Sequence, residues 1–245
     1  NEIGAEAFKK AIELDPAYPD GHNNLGNILM AIGQLSKALS AYSRAIRLRP
    51  EYVEAQSNLG NVLYRLEKTG EAVRAYLRAI EIDPLYAEAH FNMGIALASQ
   101  GRYEQAVEAY KEAIRINPLH AAAHNNMGNA LQELASFKRA IESYQAALII
   151  MPQYSDALNN LGNALHQEGQ YSEAIEAYQK ALAKEPKLYQ ARAQLIFARR
   201  QICDWSDYKD SEEIISFLWA ENAMVPPSGM LALEDNPSRQ KHWSM

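Results

Sequence analysis

Residues 19–52 of the 245-residue chain read PDGHNNLGNILMAIGQLSKALSAYSRAIRLRPEY, and this stretch decides the fold. Leu25, Ile28, Leu29 and Ile32 recur at the spacing that puts side chains on one helical face. Gly33 then offers a residue able to take the left-handed conformation that ends a helix. A second stripe follows at Leu35, Ala38, Leu39, Tyr42, Ala45, Ile46 and Leu48, and Pro50 blocks further helix. Two helices of about 13 residues, each about 20 Å long, are therefore predicted. Gly26 lies inside the first at a cost of about 1 kcal/mol relative to alanine. Close helix–helix approach compensates, because Tyr42 and Ala38 can pack where no Cβ intervenes.

The same pattern returns every 34 residues. Prolines fall at Pro16, Pro50, Pro84, Pro118, Pro152 and Pro186, and glycines at Gly26, Gly60, Gly94, Gly128 and Gly162. Gly33, Gly101 and Gly169 keep a second register, as do Tyr42, Tyr76, Tyr110, Tyr144 and Tyr178. Ala45, Ala79, Ala113, Ala147 and Ala181 complete the series, so the chain is an internal repeat array.

The period, the paired helices and the Leu–Gly, Ala, Tyr, Ala, Pro order resemble the tetratricopeptide repeat family. That resemblance implies an all-α fold, a right-handed superhelical solenoid of antiparallel helix pairs whose first helices line the concave side. Five complete units are expected at 19–52, 53–86, 87–120, 121–154 and 155–188. Residues 1–18 read as a partial repeat, the second helix only, with Phe8 at the tyrosine position and Ala11 at the alanine position. Residues 189–202 read as a capping first helix with Ile196 in place of the glycine, and 203–245 as a junction to an absent catalytic domain.

Composition narrows the class. With 48% hydrophobic and 22% charged residues the chain can bury a core. Lys and Arg number 24 against 30 Asp and Glu, a formal net charge of −6, which gives no pull toward nucleic acid or anionic lipid. The lone Cys203 cannot pair internally and fits a reducing compartment. No apolar run approaches the ~20 residues of a membrane span, and the first residues do not show the basic stretch followed by an apolar one expected of a signal peptide.

Asparagines mark the candidate site. Asn24, Asn58, Asn92, Asn126 and Asn160 precede each Leu–Gly or Met–Gly pair. Three residues on, on nearly the same face, stand Asn27, Asn61, Asn129 and Asn163, with Ile95 the exception. Asn23, Asn125 and Asn159 extend the set, and these residues together forfeit about 5–8 kcal/mol of helix propensity. Two explanations stand open. The amides hydrogen-bond between adjacent repeats or cap neighbouring carbonyls, or they form a ladder whose donors and acceptors pair with the backbone of an extended peptide, and the two roles can be divided between the two positions. With helices about 10 Å apart and a strand rise of about 3.3 Å, a rung would meet roughly every third peptide residue.

The groove rim carries Asp20, Glu54, Glu88 and Asp156, with Arg65 nearly the only base on the exposed part of a first helix. Some tetratricopeptide co-chaperones hold a partner's terminal carboxylate with lysines, but the matching sites here are Asn23, Ser57, Phe91, Asn125 and Asn159. A carboxylate clamp is disfavoured, and neutral or basic peptides are expected. His120 and His124 are four apart, but His22, His90 and His124 share one repeat position, so packing or surface roles are expected rather than a metal site. Cys203 has no adjacent histidine, and neither a G-x-G-x-x-G nor a P-loop occurs. No catalysis, cofactor or metal is expected of this chain alone.

Beyond residue 200 the composition changes, with Trp205, Trp219, Trp243, Pro226, Pro227 and Pro237. A helix is predicted over Ser211–Asn222, and Trp219, Leu218 and Leu231 would form an apolar patch that folds back, pairs with a second copy into a homo-oligomer, or stays disordered. Cys203-Asp204-Trp205-Ser206-Asp207-Tyr208 is similar to the repeat-to-catalytic junction of protein O-GlcNAc transferases. Met230-Leu231-Ala232-Leu233-Glu234-Asp235-Asn236-Pro237 resembles the stretch opening their catalytic region. The resemblance implies the substrate-recognising part of a cytoplasmic or nuclear, UDP-sugar-dependent glycosyltransferase whose catalytic domain follows Met245. Its implied partner is a substrate polypeptide held at the asparagine ladder, with no nucleic acid or membrane involved. A non-enzymatic adaptor for protein–protein interaction is the alternative.

Overall fold

The computed structural model describes residues 2–204. Among them are twelve helices. The first six are α1 (Glu2–Leu14), α2 (Pro19–Ala31), α3 (Leu35–Leu48), α4 (Val53–Arg65), α5 (Thr69–Ile82) and α6 (Ala87–Ala98). The rest are α7 (Tyr103–Ile116), α8 (Ala121–Glu133), α9 (Phe137–Ile150), α10 (Ser155–Gln167), α11 (Tyr171–Lys184) and α12 (Tyr189–Gln201). The expected all-α array of paired helices is met. No helix among the described residues is long and apolar enough to cross a membrane. The tail from residue 205 on, with its tryptophans, its apolar patch and most of both junction motifs, lies outside the described residues.

The chain divides into two compact units, Asn1–Ala130 and Leu131–Met245. In the first, α2 packs on α3, α4 on α5 and α6 on α7, while α1, α3 and α5 each also pack on the helix that follows. First helices α2, α4 and α6 are neighbours in turn. In the second, α10 packs against α9 and α11, and α12 against α11 and α10.

The pairs α2–α3, α4–α5, α6–α7 and α10–α11 are each locked by a tyrosine lying on a glycine. A Cβ at Gly26, Gly94 or Gly162 would come 2.5 Å from Cε1 of Tyr42, Tyr110 or Tyr178, and Gly60 meets Tyr76 in the same way. Real Cβ atoms essentially never approach so closely, so glycine is what admits the ring. These tyrosines are at most 2% exposed, and burial drives their phenol pKa values upward. Leu29, Ala38, Ala41 and Val62 continue the core of the first unit; Leu165, Ala174, Ala177 and Leu195 serve the second.

First helices end in one geometry whether or not glycine is present. Gly33, Gly101 and Gly169 have φ of 77°, 72° and 74°. Glu67, Ala135 and Cys203, at the same repeat position, take 60°, 53° and 59°. The following amide closes the turn: Gln34 N donates to Leu29 O at 2.8 Å, Lys68 N to Leu63 O at 2.9 Å and Asp204 N to Arg199 O at 2.9 Å. These bonds hold the three non-glycine residues in a conformation that costs them about 1–2 kcal/mol each.

The opposite corner is built around the repeating proline. Asp15, Asp83 and Asn117 precede it and accept from the amides of Ala17, Leu85 and Leu119. Six residues past the proline, His22, His90 and His124 reach back through Nε2 to Pro16 O, Pro84 O and Pro118 O at 3.1–3.2 Å. Arg192 does the same to Pro186 O with its guanidinium.

Candidate functional site on the first helices

The amide rows are set on the first helices by the Gly–Tyr contact, since the ring that covers Gly26 carries its hydroxyl past the next side chain. The Tyr42 hydroxyl donates to Asn27 Oδ1 at 2.8 Å, Tyr76 to Asn61 Oδ1 at 2.8 Å and Tyr178 to Asn163 Oδ1 at 2.9 Å. The second asparagine of each pair therefore has a structural use. A desolvated phenol would be left unpaired without it, at about 1–3 kcal/mol. The Nδ2 groups of these amides stay open to donate to a ligand carbonyl, and Asn27 Oδ1, which also takes the bond from Asn58, has both lone pairs spent.

The first asparagines behave differently from one repeat to the next, and all are half-buried. Asn58 Nδ2 donates to Asn23 Oδ1 at 3.1 Å and Asn27 Oδ1 at 3.2 Å, tying α4 to α2. Asn24 and Asn92 have no side-chain partner among the described residues. Where Ile95 replaces the second asparagine, the Asn126 amide lies near the Tyr110 hydroxyl, opposing the upward pull of burial on its pKa, and accepts from Asn125 Nδ2 at 3.2 Å. Asn129 and Asn160 are also engaged.

Several side chains near this face are committed elsewhere. Asn23, Ser57 and Asn125 are 5%, 2% and 4% exposed, so three of the positions a carboxylate clamp would use are closed over. The Arg65 guanidinium donates to Met30 O at 2.9 Å, capping the end of α2. Asp20 receives a two-pronged bond from Arg49 at 3.1 and 2.8 Å, which holds its carboxyl below the usual range. The His120 ring accepts from Ala123 N through Nδ1 and turns Nε2 toward Glu88 Oε1 at 3.7 Å. With His124 spent on Pro118 O, the two histidines serve helix-start geometry. Among the described residues no group of three His, Cys, Asp or Glu side chains could hold a metal ion. In the second unit, Asn159 Oδ1 is buried without a partner and His166 stacks on Phe197 at 5.0 Å.

Three family profiles match this geometry's sequence. One described as tetratricopeptide repeat covers residues 57–121 and 91–155, one described as TPR repeat covers 5–33 and 26–67, and a third, again tetratricopeptide repeat, covers 155–188. The chain belongs to the tetratricopeptide-repeat family. Solved members of similar structure include YrrB, described as "a TPR protein with an unusual peptide-binding site". It is 24% identical with a TM-score of 0.64, over 76% of this chain and 96% of that one. A MamA structure is 26% identical with a TM-score of 0.62, over 66% and 95%. PilF of Pseudomonas aeruginosa reaches a TM-score of 0.74 over 94% and 97% at 18% identity. No curated protein sequence matches this tetratricopeptide-repeat chain.

Proposed function

We propose that this chain is a protein-binding scaffold that holds an extended polypeptide along its first helices, chiefly by the main chain. The observation that carries this reading is the pair of open amides at Asn24 and Asn92, half-buried and without side-chain partners among the described residues. Each offers a donor and an acceptor to one peptide unit. Asn27 and Asn61 add Nδ2 donors whose direction is fixed by the tyrosine bond. Asn58 adds Oδ1, and Asn126 and Asn129 complete the row of the first unit; the second unit carries its own amides at Asn160 and Asn163. YrrB, which shares the repeat fold, is described as having a peptide-binding site, and the same use of the array is proposed here.

The test is the Asn24→Ala/Asn92→Ala double variant, probed with fluorescently labelled unstructured peptides of serine, threonine and glycine. Neither side chain is bonded in the free protein, so alanine leaves the fold intact or slightly more stable by helix propensity. Peptide affinity should fall about tenfold or more, since up to four hydrogen bonds of about 0.5–1.5 kcal/mol each are lost. Undiminished binding by a folded double variant would refute the ladder.

The junction motif extends the proposal. Its likeness to protein O-GlcNAc transferases supports an array that presents substrate polypeptides to a glycosyltransferase domain after Met245, in the cytoplasm or nucleus. The unit boundaries given above, with 203–245 as the junction, belong to the same reading. The second reading is a non-enzymatic adaptor, in line with YrrB, described as a TPR protein with a peptide-binding site. The parent gene distinguishes them: several hundred further codons of α/β pattern support the enzyme, and a nearby stop codon supports the adaptor.

A further inference from the structure

The repeats serve as internal controls for one another, and the third departs from the first at the amide row. In the first, Asn23 and Asn27 both accept from Asn58 of the next helix. The same three positions two repeats on are Phe91, Ile95 and Asn126. Both acceptors have become apolar, and Asn126 is instead paired with its neighbour Asn125. Phe91 and Ile95 are half-buried, so the exchange has not been sealed over as core. The Phe91 ring lies 6.0 Å from that of Tyr110 and 4.4 Å from that of His120, which gives the spot an aromatic wall. Asn92, with its open amide, stands between Phe91 and Ile95 in sequence, and Asn92 and Ile95 share a helix face.

We infer that Phe91 and Ile95 form a side-chain subsite that takes a branched aliphatic or aromatic residue of the bound polypeptide. This rests on the main-chain binding proposed above and adds a sequence preference to it. The occupant follows from the surroundings. A peptide unit gripped at Asn92 places its neighbouring side chain over the apolar spot. A charged or amide side chain there would lose water without finding the acceptors that Asn23 and Asn27 supply in the first repeat. An aliphatic or aromatic group covers carbon with carbon.

The experiment uses the whole chain and a serine–threonine–glycine host peptide with one central guest: leucine, phenylalanine, alanine or aspartate. Leucine and phenylalanine guests should bind about tenfold more tightly than alanine, as expected for partial burial of one such side chain, and aspartate should bind more weakly still. The double variant Phe91→Asn/Ile95→Asn installs the pair that Asn23 and Asn27 already form beside an equivalent Gly–Tyr contact. By the ladder it should hold or raise the alanine-guest affinity, since Ile95→Asn adds an amide rung, and it should bring the leucine preference to within about twofold of unity. The wild-type guest series decides the matter even if that variant unfolds. Equal binding of leucine and alanine guests by wild type, or a preference that survives in the folded variant, overturns the subsite while leaving the ladder standing. Failure of wild type to bind any host peptide removes the ladder, and the subsite with it.

Discussion

Replacing Gly94 with alanine tests the packing that sets every amide in place. The added methyl would sit 2.5, 2.7 and 2.9 Å from Cε1, Cδ1 and Cζ of Tyr110, where ordinary contact begins at 3.4 Å. The ring must retreat by about 0.9 Å at its nearest atom, yet Tyr110 is 2% exposed and has nowhere to go. Overpacking of this kind costs about 1–3 kcal/mol, and three ring atoms in conflict put this site at the upper end. Alanine regains about 1 kcal/mol of helix propensity, leaving about 2 kcal/mol of net destabilisation. For a chain of this size that is a fall of about 4–8 °C in Tm, read by circular dichroism at 222 nm. Gly70→Ala is the control, because an added Cβ there meets nothing within 4 Å, and it should stabilise by up to about 1 kcal/mol. In a Tyr110→Leu background Gly94→Ala should instead stabilise by about 1 kcal/mol, a coupling of about 3 kcal/mol in a double-mutant cycle. If Gly94→Ala stabilises as Gly70→Ala does, the ring is not locked on the glycine and the account of amide placement is wrong.

Ala135 is held at φ 53°, so Ala135→Gly should raise stability by about 0.5–1 kcal/mol in urea melts, the relief of left-handed strain exceeding the added flexibility of the unfolded chain. Asp20 is held below its ordinary pKa by the Arg49 bond, so its contribution is present above about pH 4 and is lost as pH falls through the lowered folded value. The Tm gap between wild type and Asp20→Asn should therefore close in acid, and high salt should narrow it at pH 7 because the pair is exposed. His166 is kept neutral by burial, its pKa held below 6.5. As pH falls through 6.5 the unfolded chain takes up the proton first, so stability should drop there and level off below the folded value. His166→Gln should flatten that part of the Tm profile, and an unchanged profile would count against the burial.

The helix pairs and their locking contacts were legible because steric demands recur: a glycine under a tyrosine and a proline at each corner can be read at fixed spacing. The helix ends at Glu67, Ala135 and Cys203 were not, since hydrogen bonds from the following amides impose a left-handed residue that composition alone does not announce. The amide rows were visible, but their two explanations were not separable by spacing. Tyr42 and Asn27 recur fifteen residues apart in step, which was the available signal for their bond, yet only the ring's path over Gly26 shows that the hydroxyl reaches Oδ1. The histidine bond to a carbonyl six residues back was hidden in the same way: the repeat position of His22, His90 and His124 was plain, the turn that brings Pro16 O, Pro84 O and Pro118 O to it was not.

The central claim is that open first-helix amides grip another chain's backbone, and side-chain amide NMR of the asparagine-labelled protein measures this directly. On titration with the serine–threonine–glycine host peptide, the NH2 signals of Asn24 and Asn92 should move most. Those of Asn27, Asn61 and Asn163 should follow, while Asn117 at the proline corner stays still. Saturable peptide binding that leaves the Asn24 and Asn92 signals in place would contradict the claim.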